Sequence, residues 1–253
     1  MEHVFIPSKN RAKNSSFIRI CYEAKVDFTV VLEGHEVSQY LSYYPDLTHL
    51  ILPESSKGIT YVRNYIKDFA QDAGMSYFWM IDDDVTGLYK REQQKMIKGG
   101  IEILEQAERQ LQSLPNCAIG SIEYQQLAWS ATKDEVKDSF CDSIVLINNV
   151  LTRDLHYREY VEGKEDRDFA MQCIEAGFNT YRTTLYGFAA PSNGSNEGGL
   201  KEIFYDAGRE QTCAERMLEI WGANICQQIT KPSGRPDVKI YWDRIRGKKY
   251  SIF

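Results

Sequence analysis

Short apolar runs alternate with helix-like segments over the first 81 residues, and this alternation constrains the fold more than any other feature of the chain. Four apolar runs have the length and composition of buried strands, at residues 3–7, 27–32, 49–53 and 77–81. The segments between them are typical of helices, at residues 17–22, 36–44 and 59–73. Strands and helices that alternate at this spacing indicate βαβ units. We therefore predict an α/β fold with a mostly parallel central sheet flanked by helices.

The second half of the chain has a less regular pattern. Helices are predicted at residues 101–114, 166–176 and 214–221, and strands at residues 118–124 and 143–147. Residues 191–200 have the composition of a loop, and the segment from Lys231 onward is basic. The 253 residues suffice for one sizeable core, so we expect a single domain over residues 1–253.

Composition and charge exclude several classes of protein. With 43% hydrophobic and 26% charged residues, the chain is neither disordered nor fibrous. The net charge of −6 excludes a basic nucleic-acid coat protein, so a polyanionic partner would have to meet a local basic patch. We expect no membrane span, no secretory signal and a cytoplasmic location. The six cysteines form no C-x-x-C pair, which favours buried free thiols in a reducing compartment.

The run YFWMIDDDV at residues 77–85 carries the strongest functional signal. It places three carboxylates directly after a buried strand, where their mutual repulsion must be offset. A divalent cation is the usual compensator, because hard cations prefer carboxylate oxygens. Residues i and i+2 of an extended segment point to the same side, so Asp82 and Asp84 can share one Mn²⁺ or Mg²⁺ site that holds a diphosphate. The alternative interpretation is a solvated acidic turn.

Two helix starts carry weaker signals. In GKEDRDFAM (residues 163–171), one acid can serve as a general base for an acceptor hydroxyl, or the acids simply cap the helix. In KGITYVRN (residues 57–64), the helix N-terminus attracts anions and Arg63 can pair with a phosphate, or Arg63 is an ordinary solvated side chain. Open parallel sheets bind ligands at the carboxyl ends of their strands, where residues 8–11 and Glu33 also lie.

Together and in this order, these residues resemble the GT-A class of nucleotide-sugar glycosyltransferases. GITYVRNYIKDFAQDAGMSYFWMIDDDV is similar to the segment that joins the "RN" helix of that class to the strand bearing its D-x-D motif. GKEDRDFAMQCIEAGFNTY is similar to its later "ED" acceptor-side helix. The resemblance covers roughly residues 1–190. Within the class, PSKNRA, the triple aspartate and PSNGSNEGGL most resemble the TET/JBP-associated glycosyltransferases. That group is largely phage-encoded and is linked to sugar addition on hydroxymethylated pyrimidines in DNA.

The resemblance implies metal-dependent sugar transfer on a GT-A (Rossmann-like) fold. Asp82 and Asp84 would bind Mn²⁺ or Mg²⁺. Asp166 would be the general base in an inverting reaction, and Glu165 would support it or bind the acceptor. Six residues would bind the nucleotide sugar, for which a UDP-sugar is favoured: Ser8, Lys9, Arg11, Glu33, Arg63 and Asp83.

The same resemblance divides the single catalytic domain into parts with different roles. Residues 1–90 would be the nucleotide-sugar-binding half, residues 91–230 the acceptor-side half and residues 231–253 a basic C-terminal segment. A phage-encoded enzyme of this kind would act in the host cytoplasm.

One departure from the GT-A pattern concerns the metal. Many members of the class supply a late histidine as a further ligand, but the four histidines here all precede the ED motif. The third ligand is then water, or a side chain of the loop at residues 191–200, or is missing. The candidate side chains in that loop are Asn193, Asn196 and Glu197.

The acceptor is the least constrained part of the interpretation. Residues 231–249 contain seven basic and two acidic side chains, with Tyr241 and Trp242 among them. Basic groups for phosphates and rings for an extruded base suit DNA, whereas the alternative is a solvated basic tail. The competing functions are transfer to a protein, glycan or small molecule, and a catalytically inactive GT-A domain used for binding.

Overall fold

The computed structural model describes residues 1–93, 95–192, 198, 204 and 208–246. Within them, the chain forms a large mixed sheet with helices on both faces and a small two-stranded sheet. The strands of the large sheet are β1 (Val4–Pro7), β2 (Phe28–Glu33), β3 (His49–Leu52), β4 (Tyr77–Ile81), β5 (Gly87–Glu92), β6 (Lys95–Gly99), β7 (Cys117–Tyr124), β8 (Glu135–Lys137), β9 (Ile144–Asn148) and β10 (Asn179–Ala189). The strands of the small sheet are β11 (Cys226–Thr230) and β12 (Pro236–Ile240). The helices are α1 (Ser16–Ala24), α2 (Val37–Tyr43), α3 (Ile59–Asp72), α4 (Glu102–Ser113), α5 (Gln125–Ala128), α6 (Glu165–Glu175) and α7 (Glu210–Trp221).

The predicted α/β class and the predicted mostly parallel sheet are confirmed. The strand order is β3-β2-β1-β4-β9-β7-β10-β5-β6, and β8 pairs with β10. The first four strands are parallel neighbours, and β7 and β10 run in the same direction as they do. The carboxyl ends of β1, β2 and β4 therefore meet at one edge of the sheet, as the sequence predicted. We call this edge the site edge.

Helices cover both faces of the sheet, which explains why the central strands are apolar throughout. On one face, α1 and α4 pack through Phe17 and Leu104 against a cluster that includes Trp79. On the other face, α3 and α6 pack through Ile66 and Phe169 against the other side of the same strands. The six cysteines are buried free thiols, as predicted. Among the described residues, we find no helix with the length and apolar character needed to cross a bilayer.

The chain after β4 contains three features that the sequence patterns missed. The β5–β6 hairpin is rich in charged residues, so it has no apolar run to signal strands. β10 extends over eleven residues of mixed polarity and was not predicted. The basic segment contributes β12 to a hairpin that packs on α7 in a separate apolar cluster around Trp221. Asn193, Asn196 and Glu197 lie outside the described residues, as do Lys248 and Lys249.

The direction of β9 matters most for the site. β9 is antiparallel to β4, with Ile144 opposite Ile81. The residues that precede β9 therefore lie at the site edge, beside the triple aspartate. β7 ends at the same edge, because Ser121 pairs with Val145 of β9.

Candidate active site

The three consecutive aspartates differ in exposure, and Asp83 and Asp84 both contact Arg11 Nη1, at 2.6 and 3.3 Å. Asp83 is 3% exposed, and its carboxylate accepts hydrogen bonds from Ser8 Oγ and from Arg11 Nη1, the latter at 2.6 Å. Asp82 and Asp84 retain more exposure, with side chains 31% and 24% exposed. Asp83 thus anchors the loop after β1, while Asp82 and Asp84 are the carboxylates that solvent or a ligand can reach.

The charge of Asp82 is only partly compensated. Burial raises the pKa of its carboxyl to about 7; Arg63 opposes this shift, and Asp84 and Asp83 add to it. The Asp82 N–H donates to the carbonyl of Ser143 at 2.8 Å, and this bond holds the start of the triple aspartate against the residue before β9. A cation bound here would relieve the repulsion between the carboxylates, so the donor set fits a hard divalent ion.

The loop after β1 is held by a buried hydrogen-bond network. Tyr40, fully buried on α2, contacts Ser8 Oγ at 2.7 Å and accepts the Arg11 N–H at 3.2 Å. Lys9 Nζ donates to Glu33 Oε1 at 2.7 Å. The structure therefore brings together Ser8, Lys9, Arg11, Glu33 and Asp83, five of the six predicted donor-binding residues.

Two buried glutamates at the end of β2 keep unused hydrogen-bonding capacity. Glu33 and Glu36 are 4% and 2% exposed, and neither Oε2 atom accepts a hydrogen bond from the described residues. Ligand atoms of Glu33, His35 and Glu36 lie within 4.8 Å of one another, a spacing that could hold a metal ion. The Lys9 ammonium already neutralises Glu33, so this group competes poorly with the triple aspartate as a cation site.

Arg63 connects the triple aspartate to the acidic helix. Its guanidinium lies 3.5 Å from Asp82 Oδ1 and 3.5 Å from Glu165 Oε1, and it stacks on the ring of Tyr157 at 5.6 Å. Arg63 is 7% exposed, so the solvated alternative for this residue is wrong. Its contacts are with two carboxylates and one ring of the protein, and a role in nucleotide binding stays a prediction.

The start of α6, which carries the ED motif, lies at the site edge near the D-x-D aspartates, because Arg63 contacts both Glu165 and Asp82. Glu165 is buried and also accepts the Gly163 N–H at 2.6 Å. Burial raises the pKa of Glu165, and Arg63 opposes that shift. Asp166 follows Glu165 in the first turn of α6, and Glu165 contacts Arg63 at 3.5 Å, so Asp166 lies near this end of the sheet and not across the molecule.

Asp142 is a site residue that sequence reasoning missed. It precedes β9, and its Oδ2 atom accepts a hydrogen bond from the Tyr124 hydroxyl at 3.2 Å. Burial, followed by the charge of Asp166, raises the pKa of Asp142 to about 7. The sequence does contain a polar residue beside an apolar strand here. Only the antiparallel direction of β9, which no local pattern encodes, puts it at the site edge.

The basic C-terminal segment is less available than its composition suggests. Several of its cations pair with acids of the same chain: Lys231 with Asp237, Arg235 with Glu210, and Arg246 with Asp138, at 2.9, 2.9 and 2.8 Å. Lys239 and Arg244 lie over the ring of Tyr241. These contacts use much of the positive charge to hold the C-terminal segment on the domain.

Comparison with known proteins identifies the family. A197 from STIV has a TM-score of 0.46 at 11% identity, with 76% of this chain and 87% of that chain covered. A putative nucleotide-diphospho-sugar transferase from Desulfovibrio desulfuricans G20 has a TM-score of 0.44 at 8% identity, covering 72% and 80%. HddC from Yersinia pseudotuberculosis, complexed with GMP-PN, has a TM-score of 0.44 at 11% identity, covering 75% and 93%. No curated protein matches the sequence.

The model of the TET-Associated Glycosyltransferase family matches residues 2–199, and the chain therefore belongs to this family of glycosyltransferases.

Proposed function

We propose that this glycosyltransferase uses a divalent cation at Asp82 and Asp84 to bind a nucleotide sugar, and that Asp166 is its general base. The observation that carries the proposal is the bridge made by Arg63. This one buried guanidinium contacts both the strand end that bears the aspartates and the start of the ED helix. Donor-side and acceptor-side carboxylates thereby share one edge of the sheet.

Mn²⁺ or Mg²⁺, held by Asp82 and Asp84, would supply charge stabilisation for the departing diphosphate. The protein groups around it have separate tasks. Asp83 is tied to the loop after β1 and keeps that loop in place. The Oε2 of Glu33 lies 3.7 Å from His35 Nδ1 and accepts no hydrogen bond from the described residues, so it can accept one from a base N–H or a ribose hydroxyl. The resemblance favours a UDP-sugar.

In the proposed reaction, an acceptor hydroxyl oxygen attacks the anomeric carbon of the sugar. The bond from that carbon to the diphosphate oxygen breaks, and both its electrons leave with the nucleoside diphosphate. Asp166 accepts the hydroxyl proton. A positioned base of this kind contributes on the order of 10²–10⁴ in rate.

The proposed acceptor is a hydroxymethylated pyrimidine base of phage DNA. Support comes from family membership and from exposed groups on the β5–β6 hairpin and next to α5. Lys95 and Lys98 of β6 are exposed, and Trp129, which follows α5, is 55% exposed. With Gln125 and Gln126, Lys95 and Trp129 line a surface cavity of 580 Å³. Lysines and an exposed ring are the groups that bind phosphates and unstacked bases.

The test begins with a thermal-shift screen of nucleotide sugars, each with and without Mn²⁺. The stabilising donor is then incubated with hydroxymethylated DNA, and the products are analysed by mass spectrometry. Asp166→Asn should keep donor binding and lose transfer, while the exposed Asp154→Asn serves as a matched control with full activity. Loss of donor binding in Asp166→Asn would place this residue on the donor side. Transfer to a protein, glycan or small molecule instead would refute the DNA acceptor alone.

A further inference from the structure

The short segment before β9 is fixed against the end of β4. Ser143 adopts a left-handed backbone conformation, with a φ of 54°. Its carbonyl accepts the N–H of Asp82 at 2.8 Å. This bond sets the position of Asp142 relative to the triple aspartate. Asp142, which precedes Ser143, therefore lies at the site edge beside the triple aspartate.

The carboxylate of Asp142 has one oxygen in use and one without a partner. Oδ2 accepts the hydrogen bond from Tyr124, whereas Oδ1 is buried and accepts no hydrogen bond from the described residues. The charges of Arg182 and Arg167 lower the pKa of Asp142, but neither side chain donates a hydrogen bond to Oδ1; Arg182 pairs with Glu123 at 2.8 Å and lies over the ring of Phe140 at 4.4 Å. Buried acceptors in folded proteins normally accept a hydrogen bond, so a donor for Oδ1 is expected from a bound molecule.

The surroundings define the chemistry of the missing donor. Asp142 precedes Ser143, whose carbonyl accepts the N–H of the proposed metal ligand Asp82. The charge of the proposed base Asp166 raises the pKa of Asp142. A carboxylate here offers lone pairs and no proton when ionised. An anionic phosphate would be repelled, whereas a sugar or acceptor hydroxyl would be bound.

We propose that Asp142 is a substrate-binding residue whose Oδ1 accepts a hydrogen bond from a substrate hydroxyl, a role that rests on the proposed glycosyl transfer. The hydroxyl belongs either to the donor sugar or to the acceptor. Both sources share the same chemistry, an O–H donor meeting a fixed carboxylate. Removing the charge from a hydrogen bond of this kind should lower the rate of sugar transfer by about 10- to 100-fold.

The experiment compares Asp142→Asn with Tyr124→Phe and the wild-type protein. Asparagine keeps the shape of the side chain and removes the charge, while Tyr124→Phe removes the hydrogen bond to Oδ2 and leaves Oδ1 unchanged. Two activities are measured with the donor found in the screen: transfer to acceptor, and hydrolysis of the donor without acceptor. Asp142→Asn should lose about 10- to 100-fold in transfer at unchanged melting temperature, and Tyr124→Phe much less.

The two sources of the hydroxyl give different results. With a donor-sugar contact, hydrolysis falls together with transfer, and a deoxy donor lacking that hydroxyl abolishes the difference between variant and wild type. With an acceptor contact, hydrolysis is unchanged and the KM for acceptor rises. Wild-type kcat and KM in Asp142→Asn would overturn the assignment while the proposed function stands. A wild-type protein inactive with every donor would overturn both.

Discussion

Replacing Arg63 by methionine tests how the carboxylates of the site are held together. Methionine preserves the length of the side chain and removes the charge, which leaves Asp82 and Glu165 without their shared cation. Removing one partner of a buried ion pair costs about 3–5 kcal/mol of unfolding free energy. Both contacts are long, at 3.5 Å, so we expect about 3 kcal/mol near pH 8.

The size of this loss should depend on pH in a defined direction. Burial raises the pKa of Asp82 to about 7, far above its value in an unfolded chain, and raises that of Glu165 as well. A carboxyl shifted in this way favours the fold at low pH and penalises it as the pH rises through the folded pKa. Without Arg63 the pKa of Asp82 in the folded protein is higher still. The loss of stability therefore continues to a higher pH and becomes larger. The destabilisation by Arg63→Met should therefore shrink to about 1 kcal/mol near pH 5.5, where the Asp82 carboxyl is protonated.

Urea denaturation, followed by tryptophan fluorescence at both pH values, measures the effect. The matched control is Arg216→Met, which breaks an exposed pair with Glu219 on α7. Exposed pairs contribute about 0–1 kcal/mol, so the control should change little at either pH. Equal losses for the two variants, or a loss in Arg63→Met that grows as the pH falls, would refute the reasoning.

Three further predictions follow from the same contacts. The Mn²⁺ affinity should fall by up to about tenfold per pH unit below 7, because the Asp82 carboxyl must lose its proton to bind the ion; titration calorimetry at two pH values checks this. Tyr40→Phe should lower donor affinity by about tenfold at unchanged kcat, because Ser8 and the Arg11 N–H lose the hydroxyl that helps to hold the loop after β1; steady-state kinetics would contradict this if KM stayed the same. Arg246→Met should cost about 1 kcal/mol and leave the salt dependence of DNA binding unchanged, because Arg246 pairs with Asp138; a flatter salt dependence in filter binding would show that it contacts phosphate.

The donor side of the molecule could be predicted from the sequence because its signals are local. Each of the first four strands is a mostly apolar run bounded by polar residues, and the helices α1 and α3 between them bury an apolar face. Parallel order then brings the strand ends to one edge without further information. The meeting of Ser8 with Asp83, 75 residues apart, follows from this rule alone.

The acceptor side was harder for a physical reason. The β5–β6 hairpin is stabilised by pairing with β10, and its own residues are too polar to signal a strand. Asp142 becomes part of the site only because β9 runs against the direction of its neighbours. Long-range pairing of this kind leaves no periodic trace in the sequence.

The C-terminal segment illustrates a limit of charge counting. Its excess of basic residues is compatible with an open cationic surface, but its cations pair with acids, two of which lie outside the segment. Arg246 and Asp138 are 108 residues apart, and Arg235 and Glu210 are 25 apart. A local net charge gives no information about partners supplied by the fold.

The central claim is that Asp82 and Asp84 hold a cation through which a nucleotide sugar is bound. Titration calorimetry of the donor found in the screen, into wild-type protein and into Asp84→Asn, tests it most directly. We predict that wild-type protein binds the donor at least about tenfold more tightly with Mn²⁺ than without it, and that Asp84→Asn shows no such difference while keeping its melting temperature. Donor binding that is independent of Mn²⁺ in both proteins would contradict the account.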